Sequence, residues 1–405
     1  MEKSDVKKPY YFVPLEEECD RKSEDKKDGE GEFFTGYFDC EIELLSPLFI
    51  PSPEGDAQQT GSDVLEFFSY EPLKRPRKQA GWSTWPTSNP VIPASEIRGM
   101  VRSVFEVMSN SCLSTSRYRQ DELKKVNTIL EKRGGYQPCS DRKHLCMACS
   151  VFGMVAKEKA DTKQKEQNIA AGSRVWFTDA RLKEGWKGNI NEYYMDPWVL
   201  GPTASPHPEK TKYYTVRPKG IPVKDPEKGR LTWDYTEYWY QKEDISSDRF
   251  PLAEDEPMLR GRKFYRHSDT WNNMKSNTEI KQEMDVRIRP LKPDEDIRFV
   301  FRVYFDRITK EEQKLLRRSL DFEDKGCAHK LGRGKPYGLG SVLIKISDIK
   351  IRTLDESTGK MSLQDMRIQD LDSNISPEND RKSVKILKKE ATWKEHLKKV
   401  SYSGN

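Results

Sequence analysis

Four side chains suited to a metal fall close together: Cys139, His144, Cys146 and Cys149. Thiolate and imidazole are the ligands zinc prefers, and three of one with one of the other close a tetrahedral structural site with no position left for water. The C-x-x-C half is a strong signal, while the C-x4-H-x-C half is tighter than common fingers, and Cys112 is an alternative for one ligand. The competing reading is a set of reduced cysteines packed near Phe152. Seven cysteines in 405 residues are too few for a disulfide framework.

A different chemistry is written at Gly332-Arg333-Gly334-Lys335-Pro336-Tyr337-Gly338-Leu339-Gly340. Closely spaced glycines let the backbone approach a ligand and turn its N–H groups toward an anion. Lys330, Arg333 and Lys335 add positive charge at the same place. The loop lacks the G-K-[ST] ending of a phosphate-binding P-loop and precedes a strand, so it is neither a P-loop nor a Rossmann fingerprint, and contact with an anion or an RNA backbone is expected. A flexible connection is the plain alternative, but one glycine would serve it.

Near residue 95, Ser95 reads as a helix cap, with Arg98 and Arg102 on a flank where free N–H groups and the helix dipole favour phosphate; solvated arginines on a core helix are the competing reading. The segment Arg260 to Arg266 mixes charge with Phe264 and Tyr265, a pattern that binds RNA by charge and stacking, with Lys263 as one contact. His329 stands just before the glycine loop, as a phosphate contact or, less simply, as a general acid or base.

These residues need elements to hold them. Phe38, Cys40, Ile42 and Leu44 alternate with acidic residues, predicting a strand over Gly36–Leu45. Ile97, Met100, Val101, Val104, Phe105 and Met108 form a helical stripe, and a further helix is expected from Asp121 to Lys132. Strands are expected at Arg174–Leu182, at Ile297–Phe305 and at Val342–Ile346. Thr309 and Glu312 form a capping box for a helix to about Leu320, and a last helix is possible near Val384–Lys399. Without its insertions the chain reads strand–helix–strand twice, an α+β class with a ferredoxin-like (RRM-like) βαββαβ core. The organisation expected is a charged tail over residues 1–35, a domain over 36–350, and a charged tail over 351–405. Insertions are expected at 51–90 (a loop), 110–170 (helical and zinc-binding) and 190–290 (irregular).

Composition narrows the class. No stretch approaches the ~20 apolar residues of a membrane helix, which argues against an integral membrane protein. The opening Met1-Glu2-Lys3-Ser4-Asp5 lacks a secretory signal, so a cytoplasmic location is expected. Lysine and arginine number 71 against 66 acidic residues, a net charge of +5. So mild a value fits a component of an assembly better than a free RNA binder.

A helix opening I-P-x-S-x-x-R-G-x-x-R, paired with the G-x-G-K-P-x-G-L-G loop before the last strand, resembles the RAMP superfamily of CRISPR-associated proteins. Cys149-Ser150-Val151-Phe152-Gly153, Arg174 to Ala180 and Leu259 to Tyr265 are similar to a type III subfamily. The likeness spans about residues 36 to 346. It implies a guide (CRISPR) RNA-binding subunit of a type III ribonucleoprotein effector in antiviral defence, with target RNA and other effector subunits as partners. It implies that Ser95, Arg98, Arg102, Lys263, His329, Lys330 and the loop residues Gly332, Arg333, Gly334, Lys335, Tyr337, Gly338 and Gly340 face RNA. Some members of the family are metal-dependent endoribonucleases that use an aspartate after the first strand. Here that loop offers Asp63, then Asp56, with magnesium or another divalent cation; no local motif selects between the two. The resemblance also implies a zinc knuckle at the cysteine cluster. The alternative roles are an endoribonuclease that processes precursor guide RNA through His329, and a non-catalytic subunit that caps the filament.

Overall fold

The computed structural model describes residues 9–21, 32–52, 64–70, 89–114, 134–157, 168–184, 189–201, 216, 259–274, 286–323, 326–372 and 379–393. The elements that matter for function are, in order, β1 (Tyr10–Val13), β2 (Phe33–Leu44), α1 (Ala94–Met108), the short α2 (Met147–Phe152), β3 (Val175–Phe177) and β4 (Ala180–Leu182). They continue with β5 (Arg262–Tyr265), β6 (Arg298–Thr309), α3 (Lys310–Asp321), β7 (Ser341–Asp355), β8 (Lys360–Asp365) and α4 (Lys382–Ala391). Asp56, Asp63, the helix expected at Asp121–Lys132 and most of 202–258 lie outside the described residues.

The central sheet is antiparallel and runs β7–β2–β6, with β3 and β4 lying one after the other along the far edge of β6. Period-two burial explains it. Phe38, Cys40 and Ile42 on β2 and Phe299, Phe301, Val303 and Phe305 on β6 turn to one face and are buried. Burial of each large side chain stabilises the fold by ~2 kcal/mol. Both α1 and α3 cover that face and pack on each other, with Ser319 Oγ 3.7 Å from Met108 Sδ.

α1 buries Ile97, Val101, Val104 and Phe105. It begins at Ala94, after Pro93, and the Ser95 side chain does not cap it. The fixed φ of proline already suits a helix start, and the first N–H is taken instead by Asp179 Oδ1 at 2.8 Å. α3 has both bonds of its capping box: Thr309 Oγ1 accepts from the Glu312 N–H, and the Glu312 carboxylate accepts from the Thr309 N–H. Arg174 also donates to that carboxylate, at 2.5 and 2.9 Å.

Both ends are more structured than their charge suggests. β1 pairs antiparallel with β5, Tyr11 opposite Phe264. Beyond Arg352, β7 continues to Asp355 and turns back into β8. α4 then buries Val384, Leu387 and Ala391. Within 110–170 a hairpin of Met154–Lys157 and Asn168–Ala171 follows α2. Among the described residues no helix is long and apolar enough to cross a membrane.

Candidate nucleic-acid interface and metal centre

The glycine loop is tied to the body on both sides. Its N–H groups at Arg333 and Gly340 donate to Phe49 O and Pro47 O, each at 2.8 Å. Those of Tyr337, Gly338 and Leu339 close turns within the loop. Gly340 has φ +76°, and a Cβ there would sit 1.8 Å from Leu331 O; at Gly332, with φ +73°, it would meet Phe49 O at 2.4 Å. These glycines answer to close packing. With these five amides used, the loop presents side chains to a partner more than a nest of N–H groups.

The lysines divide by role. Lys330 is turned inward and its Nζ donates to Gly338 O and Leu339 O, both at 3.0 Å. Burial drives its pKa well below the ordinary lysine value. It is a strut of the loop. The Lys335 ammonium makes no hydrogen bond or ion pair among the described residues, while its carbonyl accepts from the Gly338 N–H at 3.1 Å. Burial lowers its pKa, with the field of Glu96 opposing. Lys263, on β5, lies over the rings of Tyr10 (4.4 Å) and Tyr265 (5.3 Å), and burial lowers its pKa too.

Lys263 and Lys335 both line a cavity of about 350 Å³ between α1, β5 and the start of the loop, with Ser95, Ser103, Tyr265 and His329. Lys263, Lys330 and Lys335 against the carboxylate of Glu96 leave the lining net positive, which suits an anion. His329 is buried against Phe322, ring centroids 4.6 Å apart. Its Nε2 bonds Leu320 O at 2.7 Å, so Nδ1 is an acceptor, and it has no hydrogen-bond partner among the described residues. Burial holds its pKa down to about 4. His267 below it bonds Ser341 Oγ at 2.9 Å and Ala328 O at 3.2 Å and is held to about 3, also by burial.

Arg98 and Arg102 turn away from the helix N-terminus, which the Asp179 carboxylate occupies. Arg98 donates to Phe152 O. Arg102 donates to Glu106 Oε1 at 3.1 Å, to Gly153 O at 3.2 Å and toward Cys149 Sγ at 3.6 Å. Both guanidiniums lie over the Phe152 ring, at 5.7 and 5.9 Å. They brace the Cys149–Gly153 segment against α1.

That segment leads into the metal centre. Cys112, Cys139, Cys146 and Cys149 are buried with their sulfurs within 4.8 Å of one another. Cys112 Sγ stands 3.6 Å from Cys146, 3.7 Å from Cys149 and 3.9 Å from Cys139. Tetrahedral zinc with bonds of ~2.3 Å requires sulfurs ~3.8 Å apart, so the donor set fits zinc. Arg21 Nη1 donates to Cys139 Sγ at 2.9 Å, and with Arg102 it favours the thiolate form. Cys112 therefore takes the place expected of His144. The His144 side chain is half exposed and bonds Asp141 Oδ2 at 2.7 Å. Local spacing put His144 in the set, but it points out of the turn while the end of α1 brings Cys112 in.

Arg21, Asp179 and Glu96 were not legible as site residues. Each acts across the fold, and the motifs that contain Glu96 and Asp179 give no sign of their distant partners. For Cys112 the signal was its residue type alone.

Comparison with known proteins follows the same residues. The sequence profile of the RAMP superfamily matches residues 41–343. No curated protein matches. Among solved structures the chain is similar to Csc2 of Thermofilum pendens, at 13% identity and a TM-score of 0.36, covering 91% of this chain and 90% of that one. With the profile running from within the first long strand through α1 and the glycine loop, the chain belongs to the RAMP superfamily.

Proposed function

We propose that the chain is a guide-RNA-binding subunit of a type III CRISPR ribonucleoprotein effector, working with target RNA and other effector subunits. The observation that carries this reading is the convergence of Lys263 and Lys335 on the cavity beside the glycine loop, in a member of the RAMP superfamily. The order β7–β2–β6–β3/β4, with α1 and α3 on one face, supports a ferredoxin-like core. Zinc held by Cys112, Cys139, Cys146 and Cys149 would be structural, because four thiolates leave no site for water or substrate.

RNA lies across the mouth of the cavity. Lys335 and Lys263 meet phosphates, Ser95 and Ser103 meet ribose or base, and Lys330 holds the loop in shape from below. The buried His329 ring has its N–H committed to Leu320 O, which leaves it no proton to give a leaving group and so favours guide binding over precursor processing through a histidine acid. Target cleavage would fall to Asp63 or Asp56 with a divalent cation, which would activate the attacking hydroxyl.

The test is to express the tagged chain in cells carrying its own CRISPR locus and to sequence the RNA that co-purifies. Short RNAs sharing a repeat-derived tag, together with other effector proteins, are the expected result. Recovery of no RNA, or of unprocessed precursor without partners, would overturn the reading. Asp63→Ala and Asp56→Ala, assayed in the assembled complex, then decide cleavage.

A further inference from the structure

The face of the central sheet turned away from α1 and α3 carries a row of aromatic side chains. Tyr37 on β2, Tyr304 on β6 and Trp176 on β3 stand on adjacent strands, and Tyr304 is the register partner of both others. Register partners point to the same face. The rings of Tyr37 and Tyr304 lie 5.8 Å apart at 64°, while Trp176 is 49% and Tyr304 41% exposed. Arg302 stacks over Tyr37 at 3.8 Å and is fixed there by Asp39, at 2.7 and 2.9 Å. The hairpin of β7 and β8 forms the opposite wall through Met361 and Leu363, and a groove of about 990 Å³ lies between. So much exposed apolar surface in one place marks a binding surface.

Charge selects the occupant. Every carboxylate that β2 presents on this face is neutralised by a neighbour: Asp39 by Arg302, Glu41 by Lys183, and Glu43 by Arg298 and Lys345. Asp306, at the groove, accepts the Thr35 hydroxyl at 2.8 Å. Arg352 in the groove, Arg307 beside Asp306 and Arg181 on β4 have no ion pair among the described residues. Arg352 lines the groove, while Arg307 lies over the Phe33 ring and Arg181 over Tyr70; guanidiniums without carboxylate partners near flat exposed rings match a polyanion with flat bases. An apolar protein segment would leave them unanswered.

We propose that this groove binds single-stranded RNA, with bases stacked on Tyr304, Tyr37 and Trp176 and phosphates led along Arg352 and Arg307. It is a second RNA surface, on the opposite face of the sheet from the cavity beside the glycine loop, and it does not depend on guide binding there. Aromatic residues on adjacent strands of an antiparallel sheet suit this task because every base has a face to stack.

The experiment measures binding of a short fluorescent uridine oligonucleotide to the full chain by anisotropy, in a Lys335→Ala background that weakens the cavity site. Photo-cross-linking with a thiouridine probe runs in parallel. Tyr304→Leu and Tyr37→Leu should each weaken binding about tenfold, while Tyr304→Phe, which keeps the ring, should stay within about twofold. Cross-links should fall on the peptides holding Trp176 and Tyr304. Unchanged melting temperatures identify the effect as local. Equal binding by Tyr304→Leu and Tyr304→Phe, or cross-links confined to the glycine loop, would overturn the proposal. So would a change in oligomeric state without a change in RNA affinity, because the groove would then be a protein interface. The Lys335→Ala change alone reports on guide binding, so failure of one reading is separable from failure of the other.

Discussion

The Asp179 carboxylate stands 2.8 Å from the backbone nitrogen of Ala94 and caps α1 from 85 positions further along the chain. Its other oxygen accepts the Tyr70 hydroxyl at 2.9 Å. A cap supplied from the loop between β3 and β4 pins the helix to the sheet edge as well as satisfying an N–H. Asp179→Ala should therefore cost about 1 kcal/mol of unfolding free energy. Urea denaturation at neutral pH checks this, and an unchanged midpoint would show that the cap is idle.

The metal centre makes a prediction that separates two ligand sets. The purified chain and its His144→Ala variant should each carry about one zinc by elemental analysis, whereas Cys112→Ser should carry far less. Because metal binding adds to folding free energy, a strong chelator should lower the melting temperature of the first two and change Cys112→Ser little. Loss of zinc on removing His144 alone would reverse the assignment.

RNA contacts should sort by salt dependence. Lys335→Ala should weaken RNA binding and reduce the salt slope by about one, as expected for one lost phosphate contact. Arg98→Ala should leave the slope unchanged, because its guanidinium braces Phe152 O. Its effect should appear in thermal stability. Anisotropy titrations over a range of salt concentrations distinguish the two.

Two buried histidines set a pH dependence. His329 and His267 are held to about 4 and about 3 by burial, below the ordinary value of 6.5. The unfolded chain therefore binds protons that the folded chain refuses. Their contribution to stability is complete above pH 6.5 and is lost as the pH falls toward 4 and 3. In that window each histidine removes about 1.4 kcal/mol per unit of pH. Denaturation between pH 7 and 5, where carboxylates stay ionised, should show the slope. His329→Gln should flatten it by about half, and an unaltered slope would mean that His329 titrates normally in the fold.

What the sequence revealed and what it hid have physical causes. β2 and β6 were legible because one face of each is buried and alternation follows. α3 was legible because its capping box is local, with Thr309 and Glu312 three residues apart. The hairpin of β7 and β8 was hidden: the β8 side chains are all exposed, so no alternation marks the strand. Ser95 looked like a cap because it precedes the apolar stripe, yet Pro93 lets the helix start earlier. Asp179 was hidden because its partner lies far away in sequence, and for the same reason Cys112 was legible only as an alternative ligand to His144. Lys330 and Lys335 were equivalent cations in the sequence, and only the fold separates the strut from the lysine whose ammonium lines the cavity unpaired among the described residues.

Arg21 holds more than the thiolate of Cys139. It also donates to the carbonyls of Gly135, Gln137 and His144, and it belongs to the same stretch of chain as β1. β1 in turn pairs with β5, which carries Lys263 to the cavity. One continuous clasp thus runs from the cysteine cluster to the cavity beside the glycine loop. With zinc in the first and RNA at the second, as proposed, the two sites would be linked through it: whatever factor zinc added to RNA affinity, bound RNA would return to zinc affinity. In an assembled particle the guide would guard its own subunit against demetallation, and subunits that have not yet met RNA would be the ones a chelating environment strips first.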